Sequence, residues 1–176
     1  MSKEFDENVV PFFQKSLPLL SSVFFLLLSY FPSNFTFFGS VKSDFGLICI
    51  YFWMLHRPDL FNLFSAVALG VIDVAISSGI PGACLLSYLL MYVLVYNTQK
   101  YFNAKSFVVI WCGFMVLSFA VMLIKWLVVS VYYSQFLPLT MLTFSYFIMI
   151  AMYPLVSVVL AFIQNRFIKE ETYESR

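Results

Sequence analysis

The chain reads as all-α, a polytopic membrane bundle of about six transmembrane helices, on three observations. It is 62% hydrophobic and 11% charged, with a mean hydropathy of +0.91, which leaves too little polar surface to cover a water-soluble globule. Its apolar runs approach the roughly 20 residues that a helix needs to cross a hydrocarbon core of about 30 Å. Its lysines and arginines concentrate in alternate breaks between those runs, a bias that membrane insertion selects. The 176 residues are expected to form one integral membrane domain, 1–176, with short cytoplasmic tails at about 1–15 and 165–176.

The spans are expected at about 16–31, 44–56, 60–78, 82–97, 106–132 and 137–164. The first is the apolar run from Leu17 to Phe31; the residues ahead of it are more acidic than basic and no small-x-small site follows, so a cleaved signal peptide is not expected. The first two spans are short for a bilayer. Tilt, partial re-entry, extension of the first through Phe35–Phe38, or local thinning would absorb the mismatch. The second span is aromatic and ends at Arg57-Pro58-Asp59: proline disfavours helix in the residue before it, and Asp59 can cap the third span.

On the third span Ala66, Gly70, Asp73 and Ser77 recur at helical steps and share one stripe. Small residues there admit a close neighbour, either a helix of the same chain or a partner, and Asp73 on the same face would point at that neighbour and not at lipid. Ser77-Ser-Gly-Ile-Pro-Gly82 reads as a tight outer turn, with Gly79 and Gly82 free to take positive φ and Pro81 in the first turn of the fourth span. Pro138 can start the sixth span. Pro154 lies inside it and should kink it, the freed backbone groups being satisfied by neighbouring helices or side chains.

Orientation follows from the basic residues. With the N-terminus in the cytoplasm, Lys3, Lys15, Arg57, Lys100, Lys105, Arg166, Lys169 and Arg176 fall inside, Lys42 falls outside and Lys125 lies in the membrane. An even number of spans with both termini cytoplasmic keeps all eight on one side. Lys125 stands eighteen residues beyond Phe107, roughly 27 Å at helical rise. It can pair with Asp73 at similar depth in the outer half of the bilayer, or snorkel to an outer belt of Trp126, Tyr132 and Tyr133.

Little here points to chemistry. Cys49, Cys84 and Cys112 lie in apolar runs without paired spacing and read as small buried hydrophobes. His56 is the one histidine, too isolated for a metal site, and reads as an interfacial structural residue; no nucleophile elbow or ligand cluster emerges, so no catalytic residue and no cofactor is expected. The net charge of +1 and the dispersal of its bases argue against nucleic acid. The 22 Phe and 11 Tyr are expected to pack against lipid and one another.

The order Tyr51-Phe-Trp-x3-Arg57-Pro58-Asp59-Leu60, then Gly70-x2-Asp73, then Ser78-Gly79-x-Pro81-Gly82 before another apolar helix resembles the rod-shape-determining membrane protein family MreD. Length, span count and a short basic C-terminal tail agree, although only residues 51–90 carry specific signal, and Lys125 has no counterpart in that pattern. The resemblance implies a non-enzymatic scaffold in the bacterial inner membrane. It would bind MreC, act in a complex with MreB, RodA and a class B penicillin-binding transpeptidase, and have lipid around it. It also implies a six-helix bundle similar to the substrate-binding components of energy-coupling-factor transporters. A vitamin-binding transporter component is therefore the alternative function.

Overall fold

A computed structural model of the protein describes residues 2–30, 44–77, 80–102, 106–135 and 139–167. These form six helices: α1 (Ser2–Tyr30), α2 (Phe45–His56), α3 (Leu63–Ser77), α4 (Pro81–Phe102), α5 (Phe107–Tyr133) and α6 (Leu139–Phe167). There is no strand among the described residues. Four of the six helices lie within about three residues, at either end, of the segments expected from the sequence. The exceptions are α1, whose helix reaches back to Ser2 through the expected cytoplasmic tail, and α4, which continues to Phe102. Charges near the start obscured the helix-period spacing of Phe5, Val9 and Phe12. In the polar extension of α4 the Thr98 hydroxyl is satisfied within its own helix, donating to the Leu94 carbonyl at 2.7 Å.

The shortest helix is the centre of the molecule. Every residue of α2 from Gly46 to Met54 is buried, so this helix, apolar on all sides, is enclosed by the others. Helices α1, α4, α5 and α6 supply the enclosure, while α3 packs mainly on α4 and α1. At 12 residues α2 is about 18 Å long at helical rise. Neighbours therefore have to receive its polar ends.

Side-chain contacts fix an alternating up-and-down arrangement. Tyr51 in the middle of α2 donates to the Ile110 carbonyl near the start of α5 at 2.8 Å. Asp44, just ahead of α2, meets Lys125 in the last third of α5. In the same antiparallel sense Trp111 of α5 reaches Ile150 of α6, and Tyr146 of α6 reaches Met115 of α5. Arg57, Lys100 and Arg166, at the ends of α2, α4 and α6, thus come to one end of the bundle. Tyr51, Phe114 and Tyr153 stack between α2, α5 and α6, with Phe114 and Tyr153 ring centres 4.5 Å apart.

Two helices, Phe107–Tyr133 and Leu142–Arg166, are long and apolar enough to cross a membrane. Only 17% and 28% of their apolar windows are covered by the rest of the protein. Val116, Phe119, Leu127, Phe147, Leu155 and Phe162 instead project outward, an apolar surface suited to lipid and far larger than single scattered exposures on a soluble protein.

Pro154 sits inside α6 and removes the amide hydrogen that would bond the Ile150 carbonyl. Trp111 Nε1 donates to that same carbonyl at 3.3 Å. The backbone group freed by proline is thereby met from the adjacent helix, as expected from the sequence. Trp111→Phe should destabilise the protein by about 1–2 kcal/mol in detergent unfolding. In a Pro154→Ala background, where a main-chain donor returns, the cost should shrink; an equal loss in both backgrounds would uncouple the two residues.

Two glycines hold helices close. A Cβ on Gly70 would lie 2.8 Å from Leu85 Cδ1 and 3.3 Å from the Leu85 Cα of α4, and one on Gly46 would overlap the Tyr88 ring. Gly82 differs: it is in the first turns of α4 and nothing lies within 4 Å of where its Cβ would be. The positive φ that the sequence allows Gly82 is not used: it is an ordinary helical position. Gly70→Ala and Gly46→Ala should each lower stability by about 1–3 kcal/mol through overpacking. Gly82→Ala should be neutral or stabilising by up to about 1 kcal/mol, readable in the same thermal unfolding series.

Candidate functional site

At the end of the bundle opposite Arg57, Lys100 and Arg166, five segments bring polar side chains together. Tyr30 closes α1, Asp44 precedes α2, Asp73 and Ser77 lie in the last turns of α3, Cys84 lies in the first turns of α4, and Lys125 comes from α5. Lys125 Nζ donates to Asp44 Oδ2 at 2.6 Å. The Tyr30 hydroxyl donates to Asp73 Oδ1 and also lies 3.5 Å from the Asp73 main-chain oxygen. Asp73 is buried, whereas Lys125 and Asp44 keep 22% and 26% of their side chains exposed. Ser77 and Cys84 stand beside the Tyr30–Asp73 pair.

An unpaired charge deep in a bilayer costs on the order of 3 kcal/mol or more, so such groups find partners inside the bundle. The partners are not the pair considered from the sequence. Lys125 neither joins Asp73 directly nor snorkels away: it takes Asp44, and Asp73 takes a tyrosine hydroxyl. Asp44 escaped notice because it opens an apolar run, where an aspartate reads as a helix cap. It does occupy the N-cap position of α2, with its carbonyl accepting from Leu47 N at 3.1 Å, but its side chain makes no cap hydrogen bond and turns to Lys125. Tyr30 was hidden among aromatic neighbours that all resemble bilayer-facing residues. The one available signal was its place at the end of a span, at the depth of Asp73.

The Ala66-Gly70-Asp73 face lies inside the chain, with Ala66, Gly70 and Asp73 buried and Ser77 half-buried at its end. It meets α4 and α1, which settles the choice between internal packing and a partner-facing stripe in favour of packing. At the opposite end Arg57 terminates α2, its amide donating to the Trp53 carbonyl at 2.7 Å, and Pro58 and Asp59 form an exposed turn. Asp59 does not occupy the cap position expected of it. Helix α3 begins later, at Leu63, and the Asn62 carbonyl accepts from Ser65 and Ala66, because Leu60 and Phe61 are spent on closing the turn. His56 stacks on Phe52 at 4.2 Å and its Nδ1 bonds the Phe52 carbonyl at 2.9 Å, the local structural role expected. Pro81 is the first residue of α4, as anticipated, while Gly79 lies outside the described residues.

Chemically, the cluster is a fastening. It contains two carboxylates, an ammonium, a phenol, a hydroxyl and a thiol, and its two strong contacts tie α1 to α3 and α2 to α5. Among the described residues no group of three or more His, Cys, Asp or Glu side chains is placed to hold a metal ion. No protein-family profile, curated protein or solved structure matches the chain.

Double-mutant cycles distinguish the observed pairing from the one first considered. Asp44→Asn with Lys125→Met should show a coupling of about 1–3 kcal/mol, the double variant being less harmed than the sum of the singles. The corresponding cycle on Asp73 and Lys125 should give a smaller value. A larger coupling at Asp73, measured by denaturation in detergent, would reverse the assignment.

Proposed function

We propose that the protein is a non-enzymatic, six-span scaffold of the bacterial inner membrane. In this reading it resembles MreD in cell-wall elongation, binds MreC, and works in a complex with MreB, RodA and a class B penicillin-binding transpeptidase to maintain rod shape. One observation carries the proposal: the residues behind the resemblance are architectural. Tyr51, Phe52 and Trp53 lie in the enclosed helix α2, Arg57 and Pro58 close it, and Gly70 and Asp73 lock α3 against its neighbours. A segment whose distinctive residues set helix geometry suits a protein that acts by presenting shaped surfaces.

The charge distribution supports the orientation. Arg57, Lys100 and Arg166 at one end and Lys125 toward the other agree with both termini in the cytoplasm under the positive-inside rule. The shortest helix, α2, would be accommodated inside the bundle, where neighbours and not lipid receive its ends. A vitamin-binding transport component is the competing reading of the same bundle.

Affinity capture of the intact protein from membranes should recover MreC, and depletion in a rod-shaped host should produce rounding or lysis. Absence of MreC together with unchanged cell width would refute the scaffold, and a tightly held vitamin in the purified protein would favour the transport component. Cysteine-accessibility labelling checks the topology: positions near Lys100 should be protected from an impermeant outside reagent, and positions near Ser78 should react.

A further inference from the structure

Two spaces meet in the seam between α5 and α6. One is an open crevice of about 250 Å³ lined by Phe119, Met122 and Leu123 of α5 and by Leu142, Thr143 and Tyr146 of α6. The other, about 10 Å³, has room for one water and lies among Asp44, Lys125 and Ser145. Met122 borders both. Phe119 to Leu123 precede Lys125 by two to six residues, so the crevice runs about 3–9 Å from the level of the charge back toward the middle of the bundle. An apolar slot thus leads to an ion pair whose two members both retain an exposed edge.

We propose that crevice and ion pair form one site for a single phospholipid with an ethanolamine headgroup. Its phosphate meets Lys125, its ammonium meets Asp44, and part of one acyl chain lies along Phe119, Leu123 and Leu142. The crevice, about 250 Å³ and lined mainly by apolar side chains, has space for a stretch of chain and lacks the polar surroundings a headgroup needs. Chain contacts give little preference by themselves, because the chain leaves one hydrocarbon environment for another. Selectivity must come from the charged end.

There the chemistry is specific. An ammonium has three donors and a carboxylate two oxygens, and the Lys125–Asp44 contact engages one Nζ donor with Oδ2. A headgroup carrying both an anion and a hydrogen-bond-donating cation complements both partners without leaving either unpaired. A choline headgroup has no N–H to give Asp44, and a glycerol headgroup sets a net negative lipid beside it. The inference rests on the membrane reading above but not on any protein partner.

The test is native mass spectrometry of the full-length protein in detergent, with ethanolamine, choline and glycerol phospholipids of identical chains added in equal amounts. One ethanolamine lipid should be retained about tenfold over either competitor. Asp44→Asn should abolish discrimination against choline. Because removal of a paired charge can compromise folding, Leu123→Trp provides a second variant: it fills the crevice, leaves both charges in place, and should lose the bound lipid while the protein stays monodisperse. Equal retention of the three lipids, preference for choline or glycerol, or unchanged retention in Leu123→Trp would each overturn the site. Extraction of the chain from membranes by alkaline carbonate would remove the membrane reading itself; a carbonate-resistant protein with no headgroup preference would overturn the lipid site alone.

Discussion

The structure depends on the enclosure of α2. Nine consecutive residues, Gly46 to Met54, have no free face, so each side of this helix needs another helix against it. That requirement positions α1, α4, α5 and α6 and leaves α3 to pack outside them on α4 and α1. The close fit is visible at Gly46, where even a methyl group would run into Tyr88. It also appears in the polar atoms of the large side chains. Trp53 donates to Ser21 of α1 at 3.1 Å and Tyr51 to the α5 backbone at 2.8 Å, so burial of these rings does not strand their donors.

Polarity is arranged from the inside outward. Ser22, Ser87 and Ser118 are buried, and each hydroxyl returns to a carbonyl of its own helix at 2.6–2.7 Å. This satisfies the group locally and leaves a small, non-protruding surface for the next helix. Two of the longer-range polar contacts fall where a helix has an intrinsic defect. Asp44 lies at the start of α2, and Pro154 interrupts the bonding of α6; Lys125 and Trp111 answer them from α5. Helix α5 therefore serves as a common support, contacting α2 and α6 through bonds to backbone or charge and presenting apolar side chains outward along much of its remaining surface.

Much of this was legible from sequence because it follows from one-dimensional signals. Apolar run length located the six helices, and proline placed the end of α2, the start of α4 and the bonding defect in α6. The small-residue spacing found the buried face of α3. The centrality of α2 was not legible, since a run that is apolar all round looks the same whether lipid or protein surrounds it. The ion pair was missed for a related reason: Asp44 and Lys125 are 81 residues apart, and depth estimates brought Asp73 equally close to the lysine. Choosing between two carboxylates at one level requires the lateral order of the helices, which periodicity does not contain. The same missing information concealed the Tyr30–Asp73 contact, while the expected cap at Asp59 failed because the turn used more residues than its proline alone specified.

Lateral order also separates two sets of residues that the sequence presented together. Gly70, Asp73 and Lys125 are conspicuous in a greasy chain, yet they are committed to internal packing or pairing. The outward surface is composed of residues with no individual distinction, among them Leu20, Phe24, Leu27 and Leu28 on α1, Val116 and Leu127 on α5, and Leu155 and Phe162 on α6. For a scaffold this division has a physical consequence. Substitutions at Gly70 or Asp73 would act through the shape and stability of the bundle, since both residues are buried in it. If the proposed scaffold reading holds, recognition between embedded surfaces would draw on close packing of ordinary apolar side chains, because transfer between lipid and protein supplies little hydrophobic driving force. The conspicuous residues determine where the outward surfaces stand, and the inconspicuous ones compose them.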